Sequence, residues 1–225
     1  MALNLFLFRH GESEGNAHPE IIAGQTPLLD LSPVGFIQAH SLGERLEDEG
    51  FSPDEVYSSP AVRAMQTAIT VCGYLNLPKE KIIPVDALLE LHRGDWEGKA
   101  RKKVYTKKAI AAFNADPWNF KAPNGESMRE CEDRVYNWLN KAVIFKCYPK
   151  AERTVAIFGH GLSTKCLLRR IMNLPPSFTY RVLTENCGIT QLRYEYSGNR
   201  KGWAVVKIND NAHVHNPAPN FEAVR

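Results

Sequence analysis

Little in this sequence invites covalent cross-linking or metal capture. The five cysteines, Cys72, Cys131, Cys147, Cys166 and Cys187, are odd in number, far apart and form no C-x-x-C pair. That spacing argues against a disulfide framework and a zinc ribbon. They read instead as small apolar side chains in a reducing compartment. Long hydrophobic runs are also missing: the apolar stretch Leu3 to Phe8 is far short of the roughly 20 residues that cross a bilayer. It has no basic flank and no small-residue cleavage site, so a soluble, cytoplasmic protein with no membrane partner is expected. Neither sign of charge dominates: 28 Lys+Arg against 25 Asp+Glu leave +3, no argument for a nucleic-acid partner. There is no low-complexity tract, no solenoid repeat and no G-x-x-x-x-G-K-[ST] loop that would hold ATP. His213 and His215 could chelate a metal from an extended segment, but no further ligand cluster completes a site, so no metal and no cofactor are expected.

What is present is an ordinary globular composition, 44% hydrophobic and 24% charged over 225 residues, enough to bury a substantial core. Leu3 to Phe8 suits a strand buried on both faces. Ser32 as N-cap and Pro33 at the first helical position open a helix, with Phe36, Ala39, His40, Gly43 and Leu46 at helical spacing and Gly50 at its end. Val56 to Ser58 is a short strand. Ser59-Pro60 marks a second cap, followed by an apolar line of Met65, Ala68, Ile69, Cys72 and Leu75. Ile82 to Val85 is a further strand. Ser127 with Glu130 three residues on is a capping box, starting a helix with the line Met128, Cys131, Val135, Trp138 and Ala142. Thr154 to Phe158 is a buried strand leading into a helix through Met172, and Ile189 to Tyr196 with Trp203 to Ile208 reads as a hairpin. This βαβ rhythm predicts an α/β fold, a mostly parallel central sheet with helices on both faces. The polar stretch 95–124, dense in Lys and Arg from Lys99 to Lys108, is expected to be an inserted excursion with one helix and a solvated cationic face. The whole of 1–225 is expected to be one domain, with an irregular tail over 209–225.

Two segments are alike, Phe6-Leu7-Phe8-Arg9-His10-Gly11 and Ala156-Ile157-Phe158-Gly159-His160-Gly161. Each is a buried strand ending on a histidine that turns towards a helix. Ligands of open parallel sheets sit outside the carboxyl ends of the strands. Either histidine alone reads as a strand-end residue satisfying local hydrogen bonds; the matched pair points to one pocket. Arg9 brings a guanidinium fork suited to phosphate or carboxylate, and Arg63 falls about one turn into a helix, near its anion-favouring N-terminus. Asn16 is either a turn residue or a neutral donor. Glu90 is either a surface residue or an acid held protonated by desolvation near aromatics.

The residues resemble the histidine phosphatase superfamily, which includes cofactor-dependent phosphoglycerate mutases and many phosphatases. Arg9-His10-Gly11-Glu12-Ser13 with Asn16 is similar to its first motif, and Ser58-Ser59-Pro60 with Arg63, Ala64, Gln66 and Thr67 to its second. Glu90-Leu91 with Gly94 to Gly98, Pro123 to Ser127, and Gly159-His160-Gly161 follow in family order, and Asn209-Asp210 with His213 resembles a common ending. The resemblance implies a nucleophilic His10, a phosphoryl group surrounded by Arg9, Arg63 and His160, donors from Asn16 and the Gly161 N–H, and Glu90 as acid and then base. It also implies a three-layer α/β sandwich, phosphoglycerate mutase-like, with the excursion as a lid over the pocket. Gly24 and Gln25 resemble the substrate-side loop only loosely. The mutases carry a longer insertion and usually a tyrosine where Arg93 stands, so the expected activity is phosphatase, on a small phosphorylated metabolite or other phosphate monoester. A mutase is the alternative, and a non-catalytic phospho-ligand binding module is the third reading.

Overall fold

The computed structural model describes residues 2–145, 152–199 and 201–214; Cys147 and His215 lie outside them. Strand β1 (Ala2–Arg9) is followed by a short helix α1 (Glu14–Ala17), helix α2 (Pro33–Asp48), strand β2 (Glu55–Ser58), helix α3 (Val62–Tyr74) and strand β3 (Ile82–Pro84). Helices α4 (Arg101–Val104), α5 (Lys107–Ala115) and α6 (Met128–Leu139) precede strand β4 (Arg153–Gly159) and helix α7 (Gly161–Ile171). Strands β5 (Ile189–Glu195) and β6 (Gly202–Asp210) close the order.

The strands form one six-stranded sheet ordered β3-β2-β4-β1-β5-β6. The four strands β3, β2, β4 and β1 run parallel, and β5 and β6 add an antiparallel hairpin beside β1. Strand periodicity distributes the core over two faces. Leu3, Leu5 and Leu7 of β1, with Val155 and Ile157 of β4, pack under Cys131, Val135 and Leu139 of α6 and Leu167 and Leu168 of α7. Phe8, Ala156 and Phe158 point the other way, under Leu42 and Leu46 of α2 and Ala68, Val71 and Cys72 of α3. Three layers result, as expected. Among the described residues no helix is long and apolar enough to cross a membrane.

Capping chemistry sets the helix starts. The Ser32 hydroxyl accepts from the Gly35 N–H at 3.0 Å with Pro33 at the first position, and Ser127 and Glu130 form the reciprocal capping box of α6. Other expectations need correction. Helix α2 does not bury Phe36 or His40; it buries Gly35, Gln38, Ala39, Leu42, Gly43 and Leu46. The reason is close approach: a Cβ on Gly35 would stand 1.9 Å from the Glu12 carbonyl oxygen, and one on Gly43 would be 2.4 Å from the Tyr74 ring. Ile69, expected on the core face of α3, is exposed. The excursion contains two helices, α4 and α5, not one. They lay Val104, Tyr105 and Ala109 on Ile22 and Trp96 while Lys99, Lys102, Lys103, Lys107 and Lys108 stay in solvent. Regular strand continues through Asp210, so the irregular tail begins later than expected; 215–225 lie outside the described residues.

Candidate active site

His10 and His160 leave the ends of adjacent parallel strands. Arg9 is in register with Gly159, and the His10 N–H donates to the Gly159 carbonyl at 3.0 Å. The likeness of the two segments is therefore a likeness of position. The rings meet edge to face with centroids 5.1 Å apart, and they are 4% and 0% exposed. His10 Nδ1 donates to the Gly11 carbonyl at 2.6 Å, which fixes the tautomer and leaves Nε2 with a free lone pair. Burial, then Arg63 and Arg9, push the His10 pKa well below the ordinary histidine range. The loop is pinned by Thr67, whose hydroxyl accepts from the Gly11 N–H at 3.1 Å, and by Asn186, which donates to the His10 carbonyl at 2.9 Å.

His160 Nε2 lies 2.8 Å from the Ser59 hydroxyl, and its Nδ1 is buried with no hydrogen-bond partner among the described residues. Burial first, then Arg63, His10, Arg9 and Arg134, drive its pKa down as well. Arg9 donates to the Thr184 carbonyl at 2.6 Å, and its Nε is likewise buried and unpartnered among the described residues. Arg63, 3% exposed, donates to the carbonyls of Thr26 at 2.9 Å and Gly24 at 3.1 Å. That loop is held by Glu97, whose carboxylate accepts from the N–H groups of Gln25, Thr26 and Arg93. Gly24 adopts φ +56°, and a Cβ there would collide with the Glu97 carboxylate, so the close approach requires glycine.

A cavity of about 170 Å³ opens above His10. Arg9, Asn16, Gly24, Arg63 and Glu90 line it, and Arg93 and Arg101 add charge to its wall. Ile21, Ile22, Ala23, Leu91 and Leu162 supply apolar surface. Its lining holds four arginines against one carboxylate, Glu90. Arg45, Arg134, Arg153, Arg169, Arg170 and Arg193 are all ion-paired; among the described residues none of the four cavity arginines touches a carboxylate, and Glu90 acts on Arg9 and Arg63 only through space. Such a cavity favours an anionic ligand. Glu90 Oε1 accepts from the N–H groups of Leu91 and Ser163, and Oε2 from that of Leu162. Its surroundings are thus the N-terminal turn of α7 and not the aromatics anticipated from sequence. With two lone pairs per oxygen, Oε2 keeps one for a proton.

The sequence profile described as "Histidine phosphatase superfamily (branch 1)" matches residues 5–211. The chain belongs to the histidine phosphatase superfamily. It is 28% identical to a Yersinia enterocolitica protein named "Probable phosphoglycerate mutase GpmB", covering 96% of this chain and 97% of that one. It is similar to the solved Bacillus stearothermophilus YhfR, 26% identical with a TM-score of 0.78, covering 94% of this chain and 99% of the other. It is also similar to a mycobacterial glucosyl-3-phosphoglycerate phosphatase solved in complex with VO3, 25% identical with a TM-score of 0.75, covering 92% and 98%.

In this member of the superfamily the fold brings His10, His160, Arg9, Arg63 and Glu90 to one place. Asn16 lines the cavity with its amide oxygen engaged by Ser13 and Asn186. Gly161 opens α7 against Arg9, where a Cβ would stand 3.4 Å from its Nε. Gln25 is not among the lining residues; its side chain donates to the Glu90 carbonyl at 2.9 Å and so braces the acid segment. Ser59 does not cap α3. The cap is Ala61, without a side-chain bond, so Arg63 stands at the second helical position. The Ser59 hydroxyl instead faces His160. Among the described residues no cluster of His, Cys, Asp and Glu could hold a metal; His213 bonds Arg45 and the Cys187 carbonyl. Thr184, Asn186 and Arg134 were not picked out by sequence because they serve through hydrogen bonds to distant backbone, which leaves no local pattern.

Proposed function

We propose that this histidine phosphatase superfamily member is a phosphatase that hydrolyses phosphate monoesters through a phosphohistidine on His10. The observation that carries the reading is the His10 tautomer: Nδ1 donates to Gly11, which leaves a neutral Nε2 beside two arginines that make no ion pair among the described residues. Nε2 attacks phosphorus as the ester P–O bond breaks. Arg9, Arg63 and His160 Nδ1, the last fully buried and unpartnered among the described residues, compensate charge on the transferring oxygens. Positive side chains supply the stabilisation, so the reading needs no metal. Glu90 gives its proton from Oε2 to the leaving alkoxide. The resulting carboxylate then takes a proton from the water that attacks phosphohistidine, the P–N bond breaks, and inorganic phosphate leaves. The rest of the substrate, a small phosphorylated metabolite, lies along Ile21, Ile22 and Leu162 towards Arg93 and Arg101.

The relative named as a phosphoglycerate mutase supports a second reading, in which the phosphoryl group returns to the substrate. Return transfer requires water to be held out. Here Asn16 and Arg101 in the cavity wall are exposed, which favours hydrolysis. The test incubates the protein with 3-phosphoglycerate, with and without a bisphosphoglycerate primer, and with a general alkyl phosphate. Phosphate release from the alkyl ester, lost in His10→Ala, is expected. Primer-dependent 2-phosphoglycerate with negligible phosphate release overturns hydrolysis in favour of the mutase.

A further inference from the structure

Glu90 is gripped from two sides by two different helices. Its carboxylate is held by N–H groups at the start of α7. Its backbone carbonyl accepts from Gln25 on the cavity loop and, on the helix side, from one residue of α6 that also holds the carbonyls before it. The Arg134 guanidinium donates from Nη1 to the carbonyls of Ala87 at 2.8 Å and Leu89 at 3.0 Å, and from Nη2 to the carbonyl of Glu90 itself at 3.3 Å. Its Nε and Nη2 also clasp the two oxygens of Glu126. Glu126 in turn accepts from the His92 N–H at 3.0 Å. A guanidinium has five N–H donors in a rigid fork, and this arrangement uses them all. The segment from Ala87 to His92 therefore has three carbonyls and one N–H committed to one Arg–Glu pair, whose side chains are 24% and 16% exposed.

The pair is well founded. Helix α6 starts from the Ser127–Glu130 capping box, immediately after Glu126. Two residues before Arg134, Glu132 ties α6 to α7 through Arg169 and Arg170. Burial opposes the Arg134 charge, but Glu126, Cys131 and Glu90 outweigh it and raise its pKa above the ordinary value, so the guanidinium stays charged. Its field reaches the chemistry, since it contributes to the lowered pKa of His160.

We propose that Arg134, braced by Glu126, is the positioning residue that sets Glu90 for proton transfer to the leaving group. The inference rests on the hydrolytic reading above, in which Glu90 is the acid. Proton transfer demands that the donor sit within hydrogen-bond reach of the leaving oxygen, so a loosened Glu90 backbone costs most where the leaving group needs the proton. Alkyl phosphates need it and nitrophenyl phosphate does not.

The experiment compares wild type, Glu90→Gln, Arg134→Met and Glu126→Gln. It measures single-turnover phosphoryl transfer from an alkyl phosphate and from nitrophenyl phosphate, with KM and kcat resolved for each and the fold checked by circular dichroism. Arg134→Met is expected to slow the alkyl ester at least about tenfold more than the aryl ester, part of the roughly hundredfold or more that a general acid contributes. The loss falls in kcat rather than KM, and Glu126→Gln shows the same selectivity to a smaller degree. Glu126→Gln keeps acceptor and shape, so it carries the test if Arg134→Met does not fold. Equal losses for both esters in a folded variant, or a loss confined to KM, overturn the positioning role. Wild type that transfers no phosphoryl group from either ester, or Glu90→Gln that loses both equally, overturns the hydrolytic reading instead.

Discussion

At the scale of single residues, the site works by keeping imidazole neutral in the presence of arginine. The proposed attack by His10 requires an unprotonated Nε2, and burial followed by Arg63 and Arg9 favours that form. Removing a nearby cation makes the imidazolium less unfavourable, so the His10 pKa rises. Arg63→Met is therefore expected to move the acid limb of kcat/KM to higher pH, besides lowering the plateau by about a hundredfold for the lost charge stabilisation. Profiles of wild type and variant on the same substrate check it, because the substrate's own phosphate titration is then common to both. A lowered plateau with an unmoved limb would show that Arg63 binds phosphate without tuning His10. Ser59 belongs to the same scale. A serine before proline reads locally as a helix cap, yet its hydroxyl lies 2.8 Å from a histidine 101 residues away.

Secondary-structure elements position these residues, and the α6–α7 pair grips Glu90 from both sides. Glu132 is 2% exposed at its side chain and faces Arg169 and Arg170 of α7. Arg170 is 38% exposed and well screened, so Arg169, at 17%, is the partner that matters. Glu132→Ala would leave the Arg169 guanidinium half-buried without its counter-charge and is expected to destabilise the protein by about 3 kcal/mol. Urea unfolding of both proteins measures this. A loss under about 0.5 kcal/mol would class the pair with ordinary surface ion pairs.

At the scale of the whole molecule, three histidines among the described residues are folded in their neutral form. Burial leads the lowering for His10, His160 and His213, and that of His213 reaches about 4. The unfolded chain protonates histidine near 6.5. Between that value and the depressed native values the unfolded state binds protons that the native state refuses, so stability falls as pH drops through about 6.5. Carboxylates held down by partners act lower: Asp210, whose pKa Arg45 depresses, loses its contribution only below the ordinary aspartate range. The urea midpoint is therefore expected to fall already between pH 7 and pH 5, ahead of carboxylate titration. A midpoint flat across that window would mean that these rings are solvated and titrate normally.

Much of this architecture is legible without coordinates, and the reason is that it is local. Alternation in Leu3 to Phe8 and Thr154 to Phe158 fixes which side chains share a face. Ser32 with Pro33 and Ser127 with Glu130 satisfy helix N–H groups within three residues, so their sequence spacing is their geometry. The histidines of two similar strand ends lie together because parallel neighbours in register end side by side. Tertiary structure alone decided the rest. Helix α2 turns Gly35 and Gln38 inward in place of Phe36 and His40, because what lies opposite is backbone: Gly35 admits the Glu12 carbonyl and Gln38 accepts from the Glu12 N–H. Hydrophobic periodicity has no term for that. Gln25 braces Glu90 from outside the cavity, and Arg134 collects carbonyls 44 to 47 residues away. Neither role leaves a trace in spacing, since a carbonyl is the same group in every residue and only the folded chain says which ones converge.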